Sequence, residues 1–255
     1  MTKTDEVQSV LDRCTIEGNN VFLPEDLNRD VYVKVNKKLI GIGGKWNRKA
    51  KAHVFLTDPS ELMGRVQKGE DINLKKDFQF FETPPELADK LVELAIHRRH
   101  TKDIQVVLEP SAGQGRIIDA IHRWQPKLHV YACELMGTNT VILKQKYNQD
   151  LVCVLREADF LSIKQKNVYD TVIANPPFSK NQDIFHVAQM FDVCKVGGRI
   201  VSIVSDHWRL SDNSVEKAFG KWLEYLGAEV IPIEKGAFKS SGTNVGGNII
   251  VINKQ

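Results

Sequence analysis

From residue 103 onward, short apolar runs alternate with segments of helical periodicity, and no other property of the sequence restricts the fold as strongly. Runs at Ile104 to Leu108, Leu128 to Cys133, Val152 to Glu157, Thr171 to Ala174, Arg199 to Val204, Glu229 to Ile233 and Asn248 to Ile252 have strand length and composition. Helices are predicted between them, over Ile117 to Arg123, Asn139 to Gln149, Gln182 to Val193 and Asn213 to Leu226. Such alternation implies a mostly parallel sheet with helices on both faces and right-handed crossovers. In sheets of that kind ligands gather at the carboxyl ends of the strands, so those ends are where chemistry is sought.

A chain of 255 residues can bury one full core and carry a small extra region. The expected division is a small α+β region at 1–77 and an α/β domain at 78–255. No apolar run is long enough to span a membrane, and the first residues, Met1-Thr2-Lys3-Thr4-Asp5-Glu6, lack the pattern of a secretory signal. A cytoplasmic protein is expected. Cys14, Cys133, Cys153 and Cys194 are too widely spaced for a zinc site or a disulfide framework, so no metal is expected and all four read as buried thiols.

The net charge of +3 is small, but its distribution is uneven. Between Val31 and Thr57 stand Lys34, Lys37, Lys38, Lys45, Arg48, Lys49 and Lys51, with no acid among them. A helix is predicted from Glu6 to Cys14, a short extended piece at Val21-Phe22-Leu23-Pro24 and a helix from Asp26 to Ile40 with Leu27, Val31, Val35 and Leu39 at helical spacing. Lys45 to Leu56 then reads as a basic turn leading into a strand, and Asp58-Pro59-Ser60 as the start of a further helix. The functional reading of the block is a nucleic-acid contact, with Lys45, Arg48, Lys49 and Lys51 on phosphates and Trp46 stacking or wedging. The plainer reading is a solvated face with Trp46 packed inward, which is the usual fate of a large aromatic residue and the expectation adopted for it.

Two loops at strand ends carry the chemistry. After the first strand comes Glu109-Pro110-Ser111-Ala112-Gly113-Gln114-Gly115-Arg116, where glycines permit a tight turn and close backbone approach to a ligand. The third glycine of the pyrophosphate fingerprint is missing, as is the Gly-Lys-Ser/Thr of a P-loop. Glu134 follows the second strand, placed to accept from ribose hydroxyls, and Asp159-Phe160 follows the third. Together they describe a nucleoside pocket with no demand for phosphate. The other loop, Asn175-Pro176-Pro177-Phe178, is stiffened by two prolines that fix φ. The Asn175 side-chain oxygen and the Pro176 carbonyl form a fixed pair of acceptors, with the Phe178 ring beside them. That set suits a planar substrate bearing an NH2 group.

The sequences at 109–116 and 175–178, in this order and spacing, resemble those of the class I S-adenosylmethionine-dependent methyltransferases, and among them the adenine amino-methylating DNA enzymes. The resemblance covers about residues 78 to 255. It implies a Rossmann-like seven-stranded sheet, mostly parallel with the last strand inserted antiparallel. S-adenosylmethionine is the implied cofactor, with Glu109, Pro110, Ser111, Gly113 and Gly115 around its methionine part, Glu134 on the ribose, Asp159 and Phe160 at its adenine, and Asn175 at its methyl end. Phe81-Glu82-Thr83-Pro84 resembles the upstream motif, which puts Thr83 and Pro84 near the methionine carboxylate. Gly236 to Thr243 resembles the segment that packs an extruded base, with Phe178 and Phe238 as its contacts.

The implied activity is methylation of the adenine amino group in DNA, by direct in-line transfer to a flipped base, with Asn175, Pro176, Pro177 and Phe178 as the catalytic loop. Methylation at cytosine C5 needs a cysteine nucleophile, and the chain contains no Pro-Cys pair. The large target-recognition region usual after such a catalytic domain has no counterpart here, so recognition falls to residues 1–77, to short loops or to a partner protein. Methylation of RNA adenine, of a glutamine amide or of the cytosine amino group uses the same two-acceptor logic, and a non-catalytic DNA-binding subunit of the same fold is the rival from another class.

Overall fold

The computed structural model describes residues 3–74, 82–97, 106–155, 159–234, 236–237 and 246–255. The chain divides into two compact units, Met1–Phe80 and Phe81–Gln255.

In the first unit, helices α1 (Lys3–Asp12), α2 (Arg29–Gly41) and α3 (Ser60–Gln67) accompany four short strands, β1 (Thr15–Glu17), β2 (Asn20–Phe22), β3 (Lys45–Asn47) and β4 (Ala52–Val54). The strands form an antiparallel sheet in the order β1-β2-β4-β3. Helix α2 starts three residues later than its periodicity predicts, because Asn28 caps it, accepting from the Asp30 amide at 2.9 Å. Its stripe Val31, Val35 and Leu39 packs with Val10, Leu11, Phe55 and Met63 in one small core. The segment from Lys45 is a hairpin and not a turn into a single strand: Lys45 pairs with Val54 and Asn47 with Ala52. Strand β1, unforeseen, closes a second hairpin over Gly18, whose φ is +56°.

The second unit is a seven-stranded sheet in the order β10-β11-β9-β8-β5-β6-β7. Its members are β5 (Val106–Glu109), β6 (His129–Cys133), β7 (Val152–Leu155), β8 (Tyr169–Ala174), β9 (Cys194–Ser205), β10 (Glu229–Ile233) and β11 (Gly247–Asn253). Strands β5 to β9 run parallel, and β11 inserts antiparallel between β9 and β10. The predicted strands are all present, apart from residues 104–105 and 156–157, which lie outside the described residues.

Successive residues of each strand serve opposite faces, as the period of two requires. Val107, Ile173, Val201, Ile249 and Val251 join one core with α4 (Pro85–Val92) and α5 (Arg116–Trp124). Leu108, Val172, Ile200, Ile250 and Ile252 join the other with α7 (Gln182–Val193) and α9 (Ser214–Tyr225). Both faces are therefore dry. This is why the central strands carry continuous apolar runs: each fully buried Val or Ile contributes about 1.5–3 kcal/mol, whichever face it serves. Helices α6 (Gly137–Lys146) and α8 (His207–Leu210) complete the unit. Helix α4 continues into one π-type turn at Glu93–His97, which the sequence did not announce.

Three cysteines are buried as expected, but Cys153 is exposed, because it occupies a position of β7 at the edge of the sheet. Among the described residues no helix is long and apolar enough to cross a membrane.

Candidate functional site

The carboxyl ends of β5, β6 and β8 meet around the two loops. Strand β5 delivers Glu109, and the chain then turns through Gly113 (φ +53°) and Gly115 (φ +85°) into α5. The turn is tied to β6 by the Ala112 amide, which donates to the Cys133 carbonyl at 2.9 Å. Glu134 clasps the same turn. Its Oε2 accepts from the Gly113 amide at 2.7 Å and its Oε1 from the Met136 amide at 2.6 Å. Burial raises the Glu134 pKa, and the amides of Met136 and Gly113 oppose that rise. Each oxygen keeps a further lone pair for a ligand donor.

Glu109 differs. Its side chain is 1 % exposed and neither carboxyl oxygen has a hydrogen-bond partner among the described residues. Burial pushes its pKa well above the carboxylate range. The Ser111 amide pulls the other way without completing a hydrogen bond, and the Glu134 charge adds to the rise. An unpartnered buried carboxyl is expensive to leave unmatched, so this position asks for a donor or a cation from outside the chain.

The Asn175 loop leaves β8 one strand over. Asn175 Nδ2 donates to Thr83 Oγ1 at 3.1 Å, which fixes the amide and leaves Oδ1 without a hydrogen bond to any described residue. Thr83 and Pro84 are buried just before α4, and Arg116 Nε donates to Glu82 Oε1 at 2.6 Å, so this segment is held to the glycine turn as well. Pro176 is buried, Pro177 and Phe178 are half-buried, and Phe178 rests against the core on the α4 and α5 face. Lys180 and Asn181 follow in the left-handed region at φ +53° and +60°, turning the chain sharply into α7.

Asp183, in the first turn of α7, is buried and accepts from the Ser205 amide at 2.8 Å and its hydroxyl at 2.7 Å. The loop after β8 is thus pinned on one side to Thr83 and, through α7, to the end of β9. Asp159 caps a short 3-10 turn by accepting from the Leu161 amide at 3.0 Å, and Phe160 behind it is buried at 2 % exposure in the core on the α7 and α9 face.

The structure therefore gathers Thr83, Pro84, Glu109, Pro110, Ser111, Gly113, Gly115, Glu134 and Asn175 through hydrogen bonds and shared loops, with Asp159 and Phe160 beyond the third strand. Phe238 lies outside the described residues. Lys45, Trp46, Arg48, Lys49 and Lys51 belong to the hairpin of the first unit, and all five are exposed. Trp46 is 41 % exposed and not packed inward, because β3 is an edge strand exposed along its length; its ring meets those of Tyr32 on α2 and His53 on β4. No group of His, Cys, Asp and Glu suited to a metal occurs among the described residues.

Two site neighbours carried no signal in the sequence. His186, on α7, lies 3.3 Å from Ser111 Oγ through Nδ1, and its ring is 5.4 Å from that of Phe160. Burial lowers its pKa to about 4 against the pull of Asp159, so it is neutral at pH 7. Tyr147 lies 2.7 Å from both the Gly115 carbonyl and Asp119 Oδ1, one hydroxyl proton serving two acceptors. The helical periodicity could reveal neither, since each contact joins residues more than twenty-five positions apart.

Neither a protein-family model nor a curated protein sequence matches the chain. Solved structures do. A methyltransferase subunit of a type I restriction-modification system from Streptococcus thermophilus superimposes with a TM-score of 0.58 at 19% identity, over 68% of this chain and 44% of its own. A protein from Pyrococcus horikoshii described as a candidate RNA methyltransferase gives 0.50 at 20% identity, over 69% of this chain and 88% of its own. A candidate class I S-adenosylmethionine-dependent methyltransferase from Listeria monocytogenes gives 0.53 at 12% identity, over 99% and 78%. This chain spans less than half the length of the Streptococcus subunit. At such identities the likeness bears on architecture, and with the strand order it establishes that the second unit has the Rossmann-like seven-stranded methyltransferase fold.

Proposed function

We propose that the chain transfers the methyl group of S-adenosylmethionine to the exocyclic amino group of adenine in DNA. The observation that carries this reading is Asn175: one N–H of its amide donates to Thr83, which orients the group and leaves Oδ1 as an acceptor at the end of β8. The pocket residues fit the cofactor. Glu109 offers two buried, unpartnered oxygens to an ammonium group, Glu134 keeps lone pairs for ribose hydroxyls, and the turn lacks the features of a phosphate site.

When bound, S-adenosylmethionine supplies a methyl group made electrophilic by its sulfonium. The rest is the work of this chain. An adenine amino nitrogen is a weak nucleophile because its lone pair is conjugated into the ring. Asn175 Oδ1 and the Pro176 carbonyl accept one amino hydrogen each, which favours a pyramidal nitrogen and aims its lone pair. Pro176 and Pro177 hold the two acceptors rigid, so little reorganisation is needed at the moment of reaction. Phe178 stacks on the extruded base. Thr83 orients Asn175, and the Asp183–Ser205 bonds hold the start of α7 behind the loop.

The Streptococcus subunit, part of a system that modifies DNA, supports DNA as the polymer, and a partner protein for target recognition is part of the reading. The test is transfer of labelled methyl groups to duplex DNA, RNA and protein side by side, followed by nucleoside analysis. Label in N6-methyladenine from DNA is expected. Label confined to RNA or to glutamine would overturn the substrate, and no label in any polymer would overturn the activity.

A further inference from the structure

The first unit carries an aromatic cluster that no part of the proposed reaction uses. Trp46 stands on β3, an edge strand exposed along its whole length. Its ring is held by two neighbours: Tyr32 of α2 meets it edge-on, with centroids 6.4 Å apart and planes at 88°, and His53 of β4 lies at 5.2 Å, tilted by 60°. His53 is itself fixed. It is fully buried, and its Nε2 donates to Asn36 Oδ1 at 2.8 Å, which anchors the ring stack to α2. Trp46 is thus a rigid indole with 41 % of its surface open.

The loop beside it is built with equal care. Asn47 Oδ1 accepts from the amides of Lys49, at 2.9 Å, and Ala50, at 3.1 Å, and Lys51 takes the left-handed conformation at φ +49°. Arg48, Lys49 and Lys51 are thereby presented on a preorganised turn, with Lys45 next to Trp46. None of these four forms an ion pair with a described residue, whereas Lys38 of the same block is paired with Asp71 at 3.1 Å. Unneutralised cations around a fixed, open aromatic face match the two repeating parts of a nucleic-acid strand: phosphates for the cations and a base for the indole. An intact duplex hides its base faces in the stack, so the fitting partner is one with an unstacked base.

We infer that the β3–β4 hairpin is a binding site for single-stranded DNA, in which Trp46 stacks on one base and Lys45, Arg48, Lys49 and Lys51 hold the flanking phosphates. The choice of DNA rests on the proposed function; the site itself does not.

The test is fluorescence anisotropy of the full chain, without cofactor, with four labelled probes of equal length: a DNA strand, the same strand with abasic sites, the DNA duplex and the RNA strand. Trp46→Ala should weaken binding of the DNA strand by about 5- to 150-fold, the range of one base-aromatic stack. It should change binding of the abasic strand by less than twofold. Trp46→Phe, which keeps a ring and guards against a folding defect, should retain most of the affinity. Replacing Arg48, Lys49 and Lys51 by Ala should lower the slope of log affinity against log salt by about 2, at roughly 0.7 per phosphate. Equal loss on normal and abasic strands, or an unchanged salt slope, would overturn the site. Tighter binding of duplex or of RNA than of the DNA strand would overturn its assignment to single-stranded DNA. Because the assay involves no methyl transfer, failure here leaves the reaction untouched, and failure of the reaction leaves this site standing.

Discussion

The buried carboxyl of Glu109 yields the sharpest test of the pocket, and Glu109→Gln is the perturbation. In the folded protein the group is almost fully enclosed and unpartnered, so its pKa lies well above that of the unfolded chain, which is about 4.3. A carboxyl with a raised pKa binds more protons folded than unfolded. Stability therefore falls with rising pH, by up to about 1.4 kcal/mol per unit, from about pH 4.3 up to the folded pKa. Glutamine has nearly the same shape and no charge. Unfolding free energies of the two proteins from urea titration should agree within about 1 kcal/mol at pH 4 and diverge above it, with the variant the more stable. The same substitution should harm cofactor binding. Removing one partner of a buried charge pair costs about 3 kcal/mol, or roughly a hundredfold in affinity for S-adenosylmethionine. Binding to the wild type should also release up to one proton as the ammonium stabilises the ionised carboxylate. Calorimetry in buffers of different ionisation enthalpy measures that proton, and the variant should not release it. Parallel stability curves, together with identical proton release, would refute the assignment of Glu109 as an unmet buried charge.

Asn175→Ala should reduce methyl transfer about 10²- to 10³-fold while affinity for the cofactor stays within about fivefold, read from single-turnover rates and calorimetry; normal turnover would remove the two-acceptor mechanism. Gly115→Ala forces a Cβ into the left-handed region and against the Tyr147 ring, whose Cε2 and Cζ would lie 2.7 and 2.9 Å away. A destabilisation of about 2–4 kcal/mol is expected from the backbone and the crowding together, measured by urea unfolding, and Tyr147→Phe should relieve only part of it, since the ring carbons remain. His186 and His53 are both held near a pKa of about 4 by burial, so each withdraws stability as pH falls from 6.5 toward 4, by at most about 3 kcal/mol. His186→Gln should flatten the acid limb of the second unit's unfolding curve, and an unaltered limb would show that the imidazole is not buried neutral.

The large sheet was legible because its strands are dry on both faces. Val172 and Ile173 serve opposite cores, yet both must be apolar, and the run they make can be seen without knowing which helix covers which. The antiparallel insertion of β11 follows from the motif resemblance and not from periodicity, since nothing local distinguishes an antiparallel strand such as Asn248 to Ile252 from its parallel neighbours, and the strand order is visible only in the fold. The first unit was harder to read. Its strands are three residues long, and β3 is exposed throughout, so neither alternation nor an apolar run marks it. Trp46 illustrates the same failure: the rule that large aromatics are buried presumes something to bury them, and an edge strand provides little. At the site, the sequence indicated which residues stand at strand ends but not what each one touches. Glu109 and Glu134 look alike on paper. Only the fold shows that one is clasped by two amides and the other by none.

Strand β11 has a consequence for the order in which the second unit can assemble. It is the only described neighbour of β10 and one of two partners of β9, and it pairs along its whole length with the seven residues from Arg199 to Ser205. During synthesis β9 emerges more than forty residues before Gly247 does. In that interval Ile200 to Val204 form an unguarded, apolar sheet edge, the kind of surface on which chains aggregate. Helix α9 and β10 emerge first, but β10 has nothing to pair with until the intervening strand arrives. When it does, Lys254 follows and donates to the carbonyls of Phe191 and Cys194, fastening the insertion at the turn where β9 begins. The second unit is thus completed by β11, through pairings distant in sequence of the kind that slow folding.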